Sequence, residues 1–198
     1  MILKCDPTGF WDLLFRHVAQ HGNAVASLQT AVPLLKERLK NSSIDCVAFP
    51  DDGAAKRFSA LFLDMGMEII VFGKTRGEGD MRSVTILDGD AEGKHAVIVD
   101  DLVQTGGTLY ESGKALKEAG ALSVNAYVTH AVFPNESWRR FTEGGDRACF
   151  DRFWVTNSIP TVTDQLPIGG VFEVLDLMDL IIHDLDLYSS ASEGYAGV

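Results

Sequence analysis

Short runs of apolar residues recur along this chain, and they alternate with stretches whose apolar residues return every three or four positions. The runs predict strands, and the periodic stretches predict amphipathic helices. Predicted strands cover 44–49, 67–72, 82–87, 96–99, 122–133, 149–156 and 170–176. Predicted helices open at Thr8 and Pro33, cover 54–65 and 109–119, and begin again near Asp176.

This alternation predicts an α/β fold with a mostly parallel open sheet and helices on both faces. Residues 82–87 alternate between apolar and polar, and we expect them to form an edge strand. In such a sheet, ligands bind where the carboxyl ends of the strands converge. We expect a helical amino-terminal segment at 1–43, the α/β domain at 44–188 and a flexible tail at 189–198, where the residues are small and polar.

Composition narrows the function classes. The 198 residues are 46% hydrophobic, which is enough for one domain with a sizeable core. A net charge of −11 argues against a general affinity for nucleic acid. Cys5, Cys46 and Cys149 are odd in number and widely spaced, which favours reduced thiols in a cytoplasmic protein over a disulfide framework. No signal peptide or bilayer-spanning apolar run is visible, so we expect no membrane partner.

The stretch "HAVIVDDLVQTGGTL" combines a buried strand, two carboxylates, a glycine-bearing loop and a helix. A helix start binds phosphate through free backbone N–H groups, and glycines allow close approach. Asp100 and Asp101, which are expected to end the strand, suit ribose hydroxyls or a Mg²⁺ that bridges to a diphosphate. The positions assigned to the phosphate are Thr105, Gly106, Gly107 and Thr108. A valine at Gly106 should block that phosphate. The alternative is that the acids merely end the strand and the glycines merely turn.

A second junction, "VAFPDDGAAKRF", places Asp51 and Asp52 after a strand and Gly53 at the turn. Lys56 and Arg57 follow in the first helical turns. The segment is thus a second strand–loop–helix unit with carboxylates at the junction. The alternative is that Asp51 caps the helix and the two cations are solvated.

A third segment, "VFGKTRGEGDMR", supplies cations to an otherwise acidic chain. Lys74 and Arg76 are expected to leave a strand into a glycine-flanked loop. Such a loop can close over a polyphosphate and neutralise its charge. The alternative is a mobile basic surface loop.

Histidines give weaker signals. His130 lies near the end of a predicted strand and could act as an acid, a base or a supporting group, but a half-buried, hydrogen-bonded histidine is the favoured interpretation. His17 and His21 are spaced as a metal pair on a helix, and with no third ligand a solvated face is favoured.

"VIVDDLVQTGGT" closely resembles the phosphoribosyl-pyrophosphate (PRPP) binding motif of type I phosphoribosyltransferases and PRPP synthetases. The resemblance implies the type I phosphoribosyltransferase fold for 44–188. Three further segments resemble PRPP synthetases in particular: "FPDDGAAKRF" their pyrophosphate loop, "GKTRGEGDMR" their flexible catalytic loop and "VTNSIP" their Thr-Asn-Thr-Ile-Pro motif. "VTHAVF" is similar to their Thr-His-Gly-x-Phe motif, with Ala131 in place of glycine. The "PDDGA" and "VPLLK" stretches resemble the plant-type, class II branch.

This resemblance implies a ribose-phosphate diphosphokinase, or its ribose 5-phosphate-binding half, that transfers diphosphate from ATP to ribose 5-phosphate. The implied catalytic residues are Lys74 and Arg76, and the implied Mg²⁺ ligands are Asp51 and Asp100. The implied diphosphate loop is Asp51, Asp52 and Gly53. The implied ligands of ribose 5-phosphate or PRPP are Asp100, Asp101, Thr105, Gly106, Gly107 and Thr108.

PRPP synthetases have two similar halves, and the chain resembles the carboxy-terminal half from about Asp45 to Leu185. Residues 1–43 are then expected to be a remnant of the other half, or a link to it. We expect a homo-oligomer or a partner amino-terminal half, and little PRPP synthesis by this chain alone. Two other functions stay open: a transferase that consumes PRPP, and a non-catalytic protein that regulates a synthetase.

Overall fold

The computed structural model describes residues 31–76 and 82–182. The helix predicted from Thr8, the glycine-rich loop at 77–81 and the tail at 189–198 lie outside these residues. The chain divides into two compact units, of which the larger is Leu35–Leu175. Of the smaller unit, the described residues are 31–34 and 176–182, which include a helical turn at 178–182.

Within the described residues, seven strands carry the fold. They are β1 (Cys46–Phe49), β2 (Glu68–Arg76), β3 (Arg82–Asp88), β4 (His95–Val103), β5 (Ser123–Ala131), β6 (Phe153–Thr156) and β7 (Phe172–Leu175). The helices are α1 (Val32–Leu39), α2 (Asp52–Phe58), α3 (Gly107–Glu118) and α4 (Pro160–Thr163), with 3₁₀ helices at Ser59–Met65 and Pro134–Phe141. No helix among the described residues is both long and apolar enough to cross a bilayer.

The strands form one sheet in the order β3-β2-β1-β4-β5-β6-β7. Every neighbouring pair is parallel except β2 with β3, which pair antiparallel at one edge. The predicted mostly parallel sheet and the edge strand at 82–87 are therefore confirmed. All four residues of β1 are buried, as is usual for a central strand covered on both faces.

The chain leaves β1 and β4, which are neighbours, in opposite directions along the sheet. After β1 it runs through α2 to β2 on one side, and after β4 it runs through α3 to β5 on the other. Because parallel crossovers are right-handed, these two connections put α2 and α3 on opposite faces. The carboxyl ends of β1 and β4 thus form a topological switch point, where open α/β sheets bind ligands.

Two strands run further than the apolar runs predicted. β4 passes through Asp100 and Asp101 because β5 continues to pair with it as far as Val103. β2 includes Lys74 and Arg76 because the antiparallel partner β3 pairs with both positions. The expectation that Asp100 and Asp101 end a strand was wrong, as was the expectation that Lys74 and Arg76 lie in a loop.

The helix predicted at 54–65 is divided in two. Its α-helical part ends at Phe58, and a 3₁₀ helix covers Ser59–Met65. The Lys36 ammonium group donates to the Leu61 carbonyl at 2.9 Å and pairs with Asp64 at 2.6 Å. These two contacts hold the 3₁₀ helix in place. Strand β6 is also shorter than predicted, since it begins only at Phe153.

The largest cluster of buried side chains lies on the face of the sheet that α3 covers. Within it, aromatic rings pack with centroids 5.1 to 6.0 Å apart; they belong to Phe133, Phe141, Phe150, Phe153 and Phe172. Cys46 and Cys149 are free and buried, and burial raises the pKa of each thiol to about 11. Phe141 also reaches the loop before α3, which links this core to the candidate site.

Ser112, on α3, is expected to be a weak point of the core. Its side chain is fully buried, and among the described residues its hydroxyl has no hydrogen-bond partner. An unpaired buried hydroxyl costs about 1–3 kcal/mol, so Ser112→Ala should raise the free energy of unfolding by about 1 kcal/mol in urea titrations. Thr156→Val is the control: that buried hydroxyl donates to the Thr129 carbonyl at 2.7 Å, so its loss should destabilise. Destabilisation by Ser112→Ala would contradict this prediction.

Candidate functional site

The loop between β1 and α2 brings Asp51 to the switch point. Asp51 has an extended backbone, and its Oδ1 accepts the Ala54 N–H at 2.9 Å, so it caps α2. Asp52 is exposed and pairs with Lys56 one turn later in the same helix. The helix-cap alternative is therefore realised for Asp51, and the cation Lys56 is solvated, with 76% of its side chain exposed. Arg57 behaves differently, because its side chain reaches across to β4.

Asp101, near the end of β4, accepts a charge-assisted hydrogen bond from Arg57. Arg57 Nη1 lies 2.8 Å from Asp101 Oδ2, and the side chains are 39% and 22% exposed, respectively. This contact joins the helix after β1 to the end of β4, across the switch point. The alternative in which both cations are solvated therefore holds for Lys56 but not for Arg57, which links α2 to β4.

Asp100 lies beside Asp101, and the two side chains interact directly. Asp100 is partly buried, and burial is the main reason that its pKa rises to about 7. The charges of Asp101 and Asp51 raise the pKa further, while a hydrogen bond from the Asp101 N–H to Asp100 Oδ1, at 2.9 Å, opposes the rise. The structure thus brings Asp51, Asp100 and Asp101 close enough for their charges to interact.

A cavity of about 320 Å³ lies beside Asp100 at the start of α3. Residues 102–109 line the rest of it. The residue before α3 is Gly106, so no side chain caps this helix. The first N–H groups of an α-helix lack partners within the helix and carry the positive end of its dipole. The cavity therefore provides the conditions in which phosphate binds.

Gly106 matters for its backbone conformation and its packing against the core, not because it leaves room for a ligand. It adopts a left-handed conformation, with φ of 71°, and an added Cβ would lie 2.3 Å from the Phe141 ring. Gly107 has neither constraint, since an added Cβ there meets only Arg147 Nη1 at 3.8 Å. From the sequence, a side chain at Gly106 was predicted to block the phosphate. In the structure, such a side chain would instead collide with the Phe141 ring of the core.

Residues distant in sequence hold the loop at 104–106 in place. Arg147 Nη1 donates to the Thr105 carbonyl at 2.7 Å, and Ser137 Oγ donates to the Gln104 carbonyl at 3.3 Å. The Arg147 guanidinium also lies 5.7 Å from the centre of the Tyr110 ring. Sequence reasoning missed Arg147 and Ser137, because no motif connects the segment at 134–147 with the glycine loop.

The backbone of this supporting segment is strained. Phe133, Asn135 and Glu136 all have positive φ, between 38° and 55°. Residues other than glycine pay a conformational cost there, and such positions persist only where the surroundings fix them. These positions directly precede Ser137 and Phe141, which contact the loop at 104–106.

His130 lies near the end of β5, opposite Leu102 of β4. Its Nδ1 is 3.0 Å from Ser158 Oγ, which donates its own proton to the Thr129 carbonyl at 2.9 Å. His130 Nδ1 must therefore carry the proton of the neutral ring, which leaves Nε2 as an acceptor. Burial lowers the pKa of His130, and the charge of Asp101 opposes this. The half-buried, hydrogen-bonded histidine favoured from the sequence is what the structure contains.

Lys74 and Arg76 are described through their backbone alone. β1 pairs with β2 only as far as Phe49 with Val71, so β2 continues past the carboxyl end of β1. Lys74 and Arg76 lie in this extension, paired with β3. The hairpin therefore projects at the edge of the sheet that carries the other candidate residues.

Across the described residues, no group of three or more His, Cys, Asp or Glu side chains is arranged to hold a metal ion. The switch point offers carboxylate oxygens, and the partly buried Asp100 beside two other acids is the kind of crowded donor that a cation relieves. Mg²⁺ is commonly bound by one or two carboxylates together with substrate phosphates. The carboxylates at the switch point fit a Mg²⁺ site of this kind, in which substrate phosphates supply further ligands.

Comparisons with known proteins agree with this geometry. A family model described as "Phosphoribosyl transferase domain" matches residues 23–158. Over 165 residues the chain is 46% identical to ribose-phosphate pyrophosphokinase 4 of Oryza sativa subsp. japonica, covering 80% of the chain and 50% of the relative. It is 43% identical over 171 residues to the mitochondrial ribose-phosphate pyrophosphokinase 3 of Spinacia oleracea, covering 83% and 41%.

Among solved structures, the chain is similar to a phosphoribosylpyrophosphate synthetase from Mycobacterium smegmatis, with a TM-score of 0.66 and 25% identity. The alignment covers 83% of this chain and 52% of that one. The chain thus spans about half the length of the relatives that it matches.

Proposed function

Since this chain belongs to the phosphoribosyl transferase domain family, we propose that it provides the ribose 5-phosphate and diphosphate side of a ribose-phosphate diphosphokinase. The observation that carries the proposal is the pairing of two loops at the switch point. One follows β4 and joins a carboxylate pair to a cavity of about 320 Å³ at a helix start. The other follows β1 and adds a third carboxylate, Asp51, whose charge reaches Asp100.

The assigned roles follow from the chemistry of each group. The 5-phosphate occupies the cavity at 105–108, where N–H groups of α3 and the hydroxyls of Thr105 and Thr108 can donate to it. Asp100 and Asp101 accept from the ribose hydroxyls. Asp51, Asp52 and Gly53 form the loop for the diphosphate. Asp51 and Asp100 would hold Mg²⁺, which when bound neutralises the diphosphate and polarises its oxygens.

ATP is the proposed donor, because the plant relatives are named as ribose-phosphate pyrophosphokinases. Lys74 and Arg76 are proposed to stabilise the diphosphoryl group as it transfers to the anomeric hydroxyl. Diphosphoryl transfer depends mainly on positioning and charge neutralisation, which suits a hairpin that projects past the strand ends. A homo-oligomer, or an assembly with a separate amino-terminal half, is the proposed working form, and the cytoplasm remains the predicted compartment.

The experiment that tests this proposal is calorimetry of the purified chain with ribose 5-phosphate, with PRPP and with ATP, each with and without Mg²⁺. We expect ribose 5-phosphate or PRPP to bind, and Mg²⁺ to strengthen the binding of PRPP. Turnover is then measured with ATP plus ribose 5-phosphate, and separately with PRPP plus free bases. If the chain consumes PRPP together with a free base, it is a phosphoribosyltransferase and this proposal is wrong. If it binds neither ribose 5-phosphate nor PRPP, the proposal is also overturned.

Lys74→Ala is expected to lower turnover by roughly tenfold to a hundredfold, with little change in the affinity for ribose 5-phosphate, in whichever assembly is active. A cation that contacts only the transferring group acts in the transition state, so its loss lowers kcat and leaves pentose binding alone. Arg76→Lys should also reduce kcat, because lysine cannot form a bidentate contact with phosphate. An effect confined to the KM for ribose 5-phosphate would contradict this assignment.

A further inference from the structure

The carboxylates at the switch point differ in what neutralises them. Asp51 caps its own helix, and Asp52 pairs with Lys56 of the same helix. Asp101 is paired with Arg57, which lies on α2, the helix that follows the other loop. Arg57 thus connects α2, which follows the proposed diphosphate loop, to β4, which precedes the proposed phosphate loop.

The ion pair between Arg57 and Asp101 can be broken at little cost and replaced by contacts with a ligand. Both side chains are partly exposed, and exposed ion pairs contribute little to stability, so breaking one costs little. A divalent cation or a ribose hydroxyl that approaches Asp101 must share its oxygens with the guanidinium. A cation also meets the positive charge of Arg57 at short range, which opposes its binding.

A diphosphate changes this balance. Arginine forms strong bidentate hydrogen bonds with phosphate oxygens, so a guanidinium released from Asp101 would gain a new partner close by. The diphosphate would also offset the repulsion between Arg57 and the divalent cation. Arg57 therefore disfavours the cation alone and favours the cation with diphosphate.

We propose that Arg57 is an exchange residue: it holds Asp101 in the free protein and transfers to the diphosphate when cation and diphosphate bind together. The inference rests on the proposed function and adds to it a positioning residue that makes the two ligands bind jointly. It also assigns a distinct task to each of two adjacent cations, since Lys56 keeps its contact within α2 throughout.

The test uses Mn²⁺ as a probe, with free Mn²⁺ followed by electron paramagnetic resonance and PRPP binding by calorimetry. Arg57→Gln should bind Mn²⁺ alone about three- to tenfold more tightly than the wild type. The same variant should bind PRPP in the presence of Mn²⁺ about tenfold more weakly. Lys56→Gln removes the same charge one residue away and should leave both affinities within twofold. Arg57→Lys keeps the charge, so its Mn²⁺ affinity should match the wild type while PRPP binding stays weak.

Opposite changes for the two ligands are the signature of exchange. A purely structural role for Arg57 would weaken both, and melting temperatures of the variants identify that case. Unchanged PRPP binding by Arg57→Gln would overturn the exchange and leave the proposed function intact, as would a Lys56→Gln variant that behaves identically. Failure of the wild type to bind PRPP or ribose 5-phosphate would overturn the proposed function, and the exchange with it.

Discussion

Replacing Gly106 by alanine is expected to destabilise the protein by about 3 kcal/mol, although it adds a single methyl group. A left-handed backbone costs a non-glycine residue about 1–2 kcal/mol, and forcing extra volume into a packed core costs about 1–3 kcal/mol. Both penalties apply at Gly106, where φ is 71° and the added Cβ would lie 2.3 Å from Phe141. Urea titrations followed by circular dichroism measure the loss.

Gly107→Ala is the matched control, since the next residue has no positive φ and its added Cβ has ordinary contacts. Its free energy of unfolding should change by less than about 1 kcal/mol. In a Phe141→Leu background the cost of Gly106→Ala should shrink toward the backbone penalty alone, a coupling that a double-mutant cycle measures. Equal effects at the two glycines would contradict the assignment of Gly106 to the loop support. Gly107→Val, which lines the cavity, should instead weaken ribose 5-phosphate binding in a folded protein.

Asp100→Asn is expected to stabilise the ligand-free protein at pH 8, by about 4 kcal/mol. The pKa of Asp100 is about 7 in the folded protein and 3.8 in a model compound, so ionisation at pH 8 opposes folding. Each unit of pKa difference corresponds to about 1.4 kcal/mol. Asparagine carries no charge, and its amide oxygen can still accept the Asp101 N–H that Asp100 accepts now.

The gain from Asp100→Asn should depend on pH in a defined direction. Between pH 4 and 7 the folded wild type binds a proton at Asp100 that the unfolded chain does not, so this group's destabilising effect disappears as the pH falls. The difference between variant and wild type should therefore be full above pH 7 and vanish near pH 4. Asp52→Asn removes an exposed carboxylate at the neighbouring loop and should change stability by less than about 0.5 kcal/mol at both pH values. A gain that is constant with pH would contradict this origin.

The same substitution is expected to damage binding. If Asp100 holds Mg²⁺ with the diphosphate, Asp100→Asn combined with Asp101→Asn should abolish the gain in PRPP affinity that Mg²⁺ provides. Higher stability with weaker ligand binding is the usual pattern where a site concentrates like charges for function. Calorimetry with PRPP at fixed Mg²⁺ measures this second effect on the same samples.

The sequence was informative where the site is local and uninformative where it is assembled from distant segments. The strand, acid pair, glycine loop and helix from His95 to Leu109 follow one another, so their order alone predicted the cavity. The contacts of Phe141 and Arg147 with this loop join residues about 40 positions apart, and no spacing rule encodes them. Arg57 was visible, but its partner Asp101 could not be predicted because a surface arginine has several acids within reach.

Strand ends were predicted poorly for a related reason. The apolar run stops at Val99, yet the strand continues to Val103, because pairing with β5 supplies backbone hydrogen bonds whatever the side chains are. Hydrophobic pattern reports burial, and at this end of β4 burial is interrupted at 100–102 while the strand continues to the buried Val103. This edge of the sheet carries the candidate chemistry, so the interpretation of a polar strand end as a loop misplaced Asp100, Asp101, Lys74 and Arg76 in the same way.

The parallel pairing of β1 with β4 also affects the order in which the parts of this protein fold. At its start, Asp45 and His95 exchange hydrogen bonds although 50 positions separate them in the chain. Closing so long a segment is entropically unfavourable, and folds that depend on distant pairings form slowly. The β2–β3 hairpin, whose strands are adjacent in sequence, can form before this closure. The carboxylates of the two loops meet only after it, so ligand-binding competence should emerge late in folding, after much of the secondary structure has formed.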